Sequence, residues 1–164
     1  NMAAHLHSIM WLPGEPDPQA RASVAAWREQ AGLANLRQPM ALATTDAGWE
    51  VTAREAMGAA PVAVYCCNMI HIAPWAAAEG LVRGAGRLLP PRGLLFLYGP
   101  FMRDGTMVES NVAFDARLRA QDADWGIRAL EDVTALAADS GFVRDRVVEM
   151  PANNLSVCFR RNAD

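Results

Sequence analysis

The residues best suited to chemistry gather around one string, Asn68-Met69-Ile70-His71, near the end of a long apolar run. A histidine can take up or release a proton near neutrality, so His71 is a candidate acid or base. That role competes with a core histidine bonded to backbone. Asn68 offers a carboxamide and Met69 a soft thioether, both at the carboxyl end of a predicted strand, where open α/β sheets bind ligands. Tyr98 ends the next apolar run and brings a hydroxyl to the same crevice, which makes His71 and Tyr98 the catalytic candidates. Glu15 follows the run Ser8 to Leu12, at a position where a carboxylate can accept hydrogen bonds from a ribose diol. Asn111, Asp115 and Arg119 are spaced four apart and share one helical face, so they are substrate-side candidates, against a plainer role in packing and capping. His5-Leu6-His7 lacks a third ligand and no metal site is expected. Asn153 and Asn154 read as turn formers.

The elements that must hold these groups alternate between strand and helix, which predicts an α/β fold with a mainly parallel sheet. A short strand over Ser8 to Leu12 leads to a helix capped by Asp17, started by Pro18 and stopped by Gly32, with Ala20, Val24, Trp27 and Ala31 at helical spacing. A weak strand follows over Pro39 to Leu42. Pro61 to Ile72 is the most continuous apolar stretch and predicts a strand buried on both faces. A helix over Trp75 to Leu89 and a strand over Leu94 to Tyr98 complete a right-handed β-α-β crossover. The segment 99–128, with a short helix around Val112 to Ala120, reads as a lid-like insertion. A helix from Leu130 to Ser140 then precedes strands over Val143 to Met150 and Leu155 to Arg160, whose short connection predicts an antiparallel hairpin.

The 164 residues read as a single domain, 1–164, with 52% hydrophobic and 20% charged residues. No apolar run reaches the roughly 20 residues that cross a bilayer, so no membrane partner is expected. A net charge of −3 with dispersed arginines gives no electrostatic case for nucleic acid. A small molecule is the expected partner, and a homodimer is compatible with the composition. Three cysteines, two of them adjacent at Cys66-Cys67, suggest reduced thiols in a cytoplasm.

Several strings together carry a resemblance. They are Asn68-Met69-Ile70-His71-Ile72-Ala73-Pro74-Trp75, Tyr98-Gly99-Pro100-Phe101, Ser110-Asn111, Phe114-Asp115, Trp125-Gly126, Leu130-Glu131-Asp132, and Met150-Pro151-Ala152-Asn153-Asn154-Leu155-Ser156. From about Ile9 to Arg160 the chain resembles the methyltransferase-like protein 26 family, also known as domain of unknown function 938. The resemblance implies a Rossmann-like class I methyltransferase fold whose parallel sheet ends in an antiparallel hairpin. It implies S-adenosylmethionine as cofactor and methyl transfer to a small-molecule acceptor that it does not identify.

By the same resemblance Glu15 matches an acidic position at the ribose, and Asn68 and Met69 lie beside the methionine part of the cofactor. The family places Asp after its third strand, to contact the adenine amine. Here Ala43 stands there, and Asp46 would substitute from the loop. Trp49 either flanks the adenine or only covers a neighbouring helix. Members resembling this chain begin with a strand and a glycine-rich turn of the form L-E-I-x-S-G-x-G-Q-H, which is missing here. Gly84 and Gly86 fall inside a predicted helix and cannot supply it. In such a sheet the missing strand is central, between Ile9 and Val62, so a longer polypeptide is expected, with a decayed product that binds no cofactor as the alternative. Two further readings compete: a non-catalytic methyltransferase-like interaction module, and a nicotinamide-dinucleotide domain, which the terminal hairpin and the absent G-x-G-x-x-G disfavour.

Overall fold

The computed structural model describes residues 2–163. Its organising element is a four-stranded sheet in the order β1-β2-β6-β5, formed by β1 (Ala63–Cys67), β2 (Leu94–Gly99), β5 (Phe142–Met150) and β6 (Asn154–Arg161). β1 and β2 run parallel, from Ala63 opposite Leu94 to Cys67 opposite Tyr98. β6 is antiparallel to both of its neighbours, β2 and β5. The predicted α/β class and terminal hairpin are both present, but among the described residues the sheet is mixed rather than mainly parallel, because only β1 and β2 pair in parallel. The hairpin turns through a 3₁₀ segment, Pro151–Asn153, in which Ala152 and Asn153 have φ of 58° and 57°. A bulge between Arg144 and Arg146 bends β5.

Alternation dictates the core. On β2 and β6 the odd-numbered residues point to one face, and Leu95, Leu97, Val157 and Phe159 are at most 1% exposed. The cover is α4 (Trp75–Leu88) and α6 (Leu130–Asp139), whose Val82, Ala85, Val133 and Ala137 are equally buried. Each large side chain removed from water this completely contributes about 2 kcal/mol. Glycine lets the helices close in. A Cβ at Gly84 would lie 2.4 Å from the Trp49 indole nitrogen, and one at Gly86 would lie 2.7 Å from the Ser140 carbonyl oxygen. These two glycines are packing residues of α4, as their position in a predicted helix requires.

The region before β1 is built differently. α1 (Met2–His5) precedes a chain segment that was expected as the strand Ser8 to Leu12, and the weak strand Pro39 to Leu42 was expected to follow α2. Neither forms a strand. The chain there pairs only through two isolated parallel bridges among the described residues, Trp11 to Leu36 and Gly14 to Met40, each with one partner outside the expected strands. α2 (Pro18–Ala31) has the expected ends: Asp17 accepts from the Ala20 N–H at 2.7 Å, and Gly32 closes it at φ 60°. Yet α2 buries none of its residues, and Trp27 is 68% exposed. α3 (Trp49–Met57) joins this region to the core through the Trp49 indole N–H, which donates to the Gly80 carbonyl, and through the Arg87–Glu50 ion pair.

The hydrogen-bond register explains the difference. The Val62 carbonyl accepts from Leu94 and the Asn68 N–H donates to Tyr98, so even-numbered residues of β1 bond to β2. In a parallel ladder the odd residues Ala63, Tyr65 and Cys67 then direct their backbone groups away from β2. All three are exposed, which corrects the expectation of a strand buried on both faces. The strand is also shorter than the apolar run from Pro61 to Ile72, because Asn68 at φ 58° turns the chain into a 3₁₀ segment, Met69–His71. On the other side Trp11, Pro13 and Glu15 bond to the 35–40 segment, which leaves the backbone of Met10, Leu12 and Gly14 directed away from it. Both edges lack a strand partner among the described residues.

The segment 99–128, expected as a lid-like insertion, carries regular elements. β3 (Phe101–Met102) pairs in parallel with β4 (Arg128–Ala129), and α5 (Glu109–Gln121) is longer than the helix expected from Val112 to Ala120. Asp104 and Gly105, both at positive φ, form a two-residue turn that Arg103 and Thr106 close.

Candidate functional site

The carboxyl ends of β1 and β2 bring Asn68, His71 and Gly99 together. Tyr98 meets this group only through its backbone carbonyl, its side chain lying on the opposite face of the sheet, the face that Tyr65 shares. The left-handed turn at Asn68 leaves its side chain exposed, and the carboxamide makes no hydrogen bond to another described residue. Met69 is half-buried against the core. Tyr98 is half-buried, and its carbonyl receives the Asn68 N–H at 2.8 Å. Gly99 is where the site needs a glycine. A Cβ there would lie 2.5 Å from His71 Nε2 and 3.0 Å from Asn68 Oδ1.

His71 is 0% exposed and stands edge-on to Phe101, with ring centroids 5.1 Å apart. Both ring nitrogens lack a hydrogen-bond partner. Burial, aided by the positive charge of Arg128 and opposed by the Gly126 backbone, pushes its pKa down to about 4. The imidazole is therefore neutral at physiological pH, and as a proton acceptor it is weak. Its environment suits holding a neighbour in place better than removing a proton.

The other expected residues lie apart from this group. Glu15 is half-buried. One of its carboxylate oxygens accepts from the Asp17 N–H at 2.9 Å, and the second accepts no hydrogen bond from a described residue. Asp46 is exposed on the loop before α3. No hydrogen bond or ion pair among the described residues ties Glu15 or Asp46 to the Asn68–His71 group. Trp49 is 8% exposed with its N–H spent on Gly80 and its ring against Gly84, so its plainer role as cover for a helix is the one its surroundings fit.

The expected substrate face of the insertion divides. Asn111, 7% exposed, donates through Nδ2 to the Asn153 carbonyl, while Asn153 Nδ2 donates to Ser110. Asp115 instead accepts from the Ile127 N–H at 2.6 Å and from Arg119 at 2.8 Å. Burial raises the Asp115 pKa, but those donors outweigh it and the net shift is downward. Asp115 and Arg119 thus clamp the insertion's return around Gly126, whose Cβ would lie 2.6 Å from Arg119. Between α5 and the hairpin turn lies a cavity of about 450 Å³ lined by Phe101, Met107, Asn111, Met150 and Leu155, among others. Leu155 pairs with Gly99, so the cavity adjoins the carboxyl end of β2.

Sequence reasoning missed Arg128. Its guanidinium donates to the carbonyls of Ile70, Ala73 and Asp124 and sits 5.8 Å from the Trp75 ring centroid. With the Gly126 N–H on the His71 carbonyl, it fastens the insertion to the 3₁₀ turn that carries His71. The only local signal was its nearness to Trp125-Gly126.

The family model for the protein of unknown function DUF938 matches residues 1–161. Among solved structures, an O-methyltransferase family 2 protein from Planctomyces limnophilus DSM 3776, in complex with apigenin, has a TM-score of 0.80 at 14% identity, covering 97% of this chain and 44% of that one. The S-adenosylmethionine-dependent methyltransferase SibL in its apo form has a TM-score of 0.76 at 17% identity, covering 98% and 46%. LaPhzM has a TM-score of 0.74 at 15% identity, covering 98% and 46%. The chain spans less than half the length of each. Its fold is the Rossmann-like class I methyltransferase fold.

Proposed function

The chain belongs to the DUF938 family, and on that premise we propose that it serves methyl transfer from S-adenosylmethionine to a small-molecule acceptor. Within that family its Asn68–Trp75 and Met150–Ser156 strings support placing it with methyltransferase-like protein 26. The observation that carries the functional reading is the convergence of Asn68 and His71 on Gly99 at the carboxyl ends of two adjacent parallel strands. The groups present fit such a cofactor in part. Asn68 offers an unengaged carboxamide at the turn, and Glu15 offers an unengaged carboxylate oxygen for ribose hydroxyls. Asp46 remains the loop carboxylate for the adenine amine.

The cofactor, when bound, supplies an electrophilic methyl group on a sulfonium. The protein's task is then alignment. Asn68 holds the cofactor's amino-acid end, and neutral His71 keeps the turn and Phe101 in register. Asn111 faces the acceptor, while Asp115 and Arg119 hold the insertion closed.

One observation favours a non-catalytic interaction module instead. The glycines of the only Gly-x-Gly string, Gly84 and Gly86, are consumed in packing α4. Calorimetric titration with S-adenosylmethionine, S-adenosylhomocysteine and NAD separates the readings. Heat is expected with the first two and not with NAD, and Glu15→Ala should weaken binding about tenfold. NAD binding alone would sink the methyl-transfer reading, and no heat with any of the three would favour the module.

A further inference from the structure

The turn that carries Asn68 leans on donors from outside itself. Within it the His71 N–H donates to the Asn68 carbonyl at 3.0 Å and the Ile72 N–H to the Met69 carbonyl at 3.1 Å. That is a 3₁₀ pattern, whose hydrogen bonds are poorer than those of an α-helical turn. The other carbonyls of the turn face the insertion. Arg128 Nε donates to the Ile70 carbonyl at 2.9 Å and Nη2 to the Ala73 carbonyl at 2.7 Å, while the Gly126 N–H donates to the His71 carbonyl at 2.9 Å. Ile70 and His71 are buried, so their carbonyls need those donors. The path back to Asn68 is short, because the peptide held by Gly126 follows the N–H that His71 gives to Asn68. A planar guanidinium spans both the Ile70 and Ala73 carbonyls through two nitrogens, which the single nitrogen of a lysine does not. Arg54 offers a comparison: its Nη2 donates to the Arg87 and Leu88 carbonyls, each at 3.1 Å, at the far end of α4 where the chain leads into the start of β2.

We propose that Arg128 is a positioning residue of the site: by holding the Ile70 and Ala73 carbonyls it sets where the Asn68 carboxamide stands toward the cofactor. The role rests on the methyl-transfer reading, whereas the hold on the turn is read without cofactor, by amide exchange followed by NMR on the intact chain. In Arg128→Met the His71 and Ile72 amides should exchange about tenfold faster relative to Leu97. Arg54→Met removes a similar clamp elsewhere and should leave that ratio unchanged. Calorimetry with S-adenosylhomocysteine reads the second half. Arg128→Met should weaken binding about tenfold, and Arg128→Lys, which keeps the charge but not the span, should do nearly the same. In an Asn68→Ala background Arg128→Met should cost nothing further, because its effect passes through Asn68; a merely structural loss would add. An additive loss, full affinity in Arg128→Lys, or exchange that quickens evenly along the chain would each overturn the proposal. No heat with the unmodified chain would sink the methyl-transfer reading instead, and the exchange ratio would still decide whether Arg128 holds the turn.

Discussion

The two halves of this molecule carry equally good secondary-structure signals and settle into different degrees of order. From β1 onward, four strands pair in register and four side chains of β2 and β6 are sealed beneath α4 and α6. Before β1, neither expected strand forms, two isolated bridges at Trp11–Leu36 and Gly14–Met40 join that stretch of chain, and a well-capped helix of 14 residues has no fully buried residue. The stripe Ala20, Val24, Trp27 and Ala31 marks a face of α2 that favours cover; it does not supply the cover. Local sequence specifies an element, whereas burial depends on which neighbours reach it. The open edges of β1 and of the 10–14 segment show where pairing between the halves stops.

That contrast predicts a large asymmetry in mutational cost. Phe159→Ala should remove about 3–5 kcal/mol, because it leaves a cavity in a sealed core. Trp27→Ala should change stability by under about 0.5 kcal/mol in the same urea titration. A comparable loss at Trp27 would break the comparison.

A somewhat smaller effect concerns pH. His71 has a folded pKa of about 4, below the unfolded reference of about 6.5, so the unfolded chain binds its proton first. The stability this group contributes is complete above pH 6.5 and falls as pH drops from 6.5 to 4, by ~3 kcal/mol. His71→Leu should remove that portion of the pH dependence. The check is the difference between the two denaturation curves across that window, and an unchanged slope would place the imidazole in a more solvated site than its burial indicates.

The smallest effect in energy is the sharpest in position. In amide exchange followed by NMR, Val64 and Cys66 should be protected about a hundredfold more than Ala63, Tyr65 and Cys67. Uniform protection along β1 would mean that its outer edge is covered.

Much of the site was legible because the carboxyl end of a parallel strand is a positional rule. Asn68, His71 and Tyr98 could be placed from the strand runs alone; Asn68 and His71 meet at Gly99, while the face that Tyr98 presents depends on strand alternation that the run did not fix. Asp115 and Arg119 were legible as neighbours on one face but not as a clamp, because the partner that decides their role, the Ile127 N–H, arrives from a return segment twelve residues away. Arg128 was invisible for the same reason: two of its contacts, the Ile70 and Ala73 carbonyls, lie far back in the sequence and only folding brings them within reach. Trp49 carried an ambiguous signal, and its packing against Gly84 was decided by a helix 35 residues on.

By itself, the sequence determined the alternation of strands and helices from β1 onward, the capping of α2 and the terminal hairpin. These depend on periodicity and on short-range hydrogen bonds, which travel with the residues. The tertiary structure alone decided that His71 is sealed and neutral, that Asn111 lines the cavity beside the hairpin turn while Asp115 is held by the Ile127 N–H and Arg119, and that β1 has an open side. Each of those depends on desolvation, or on a partner distant in sequence, and neither is a property of a local string of residues.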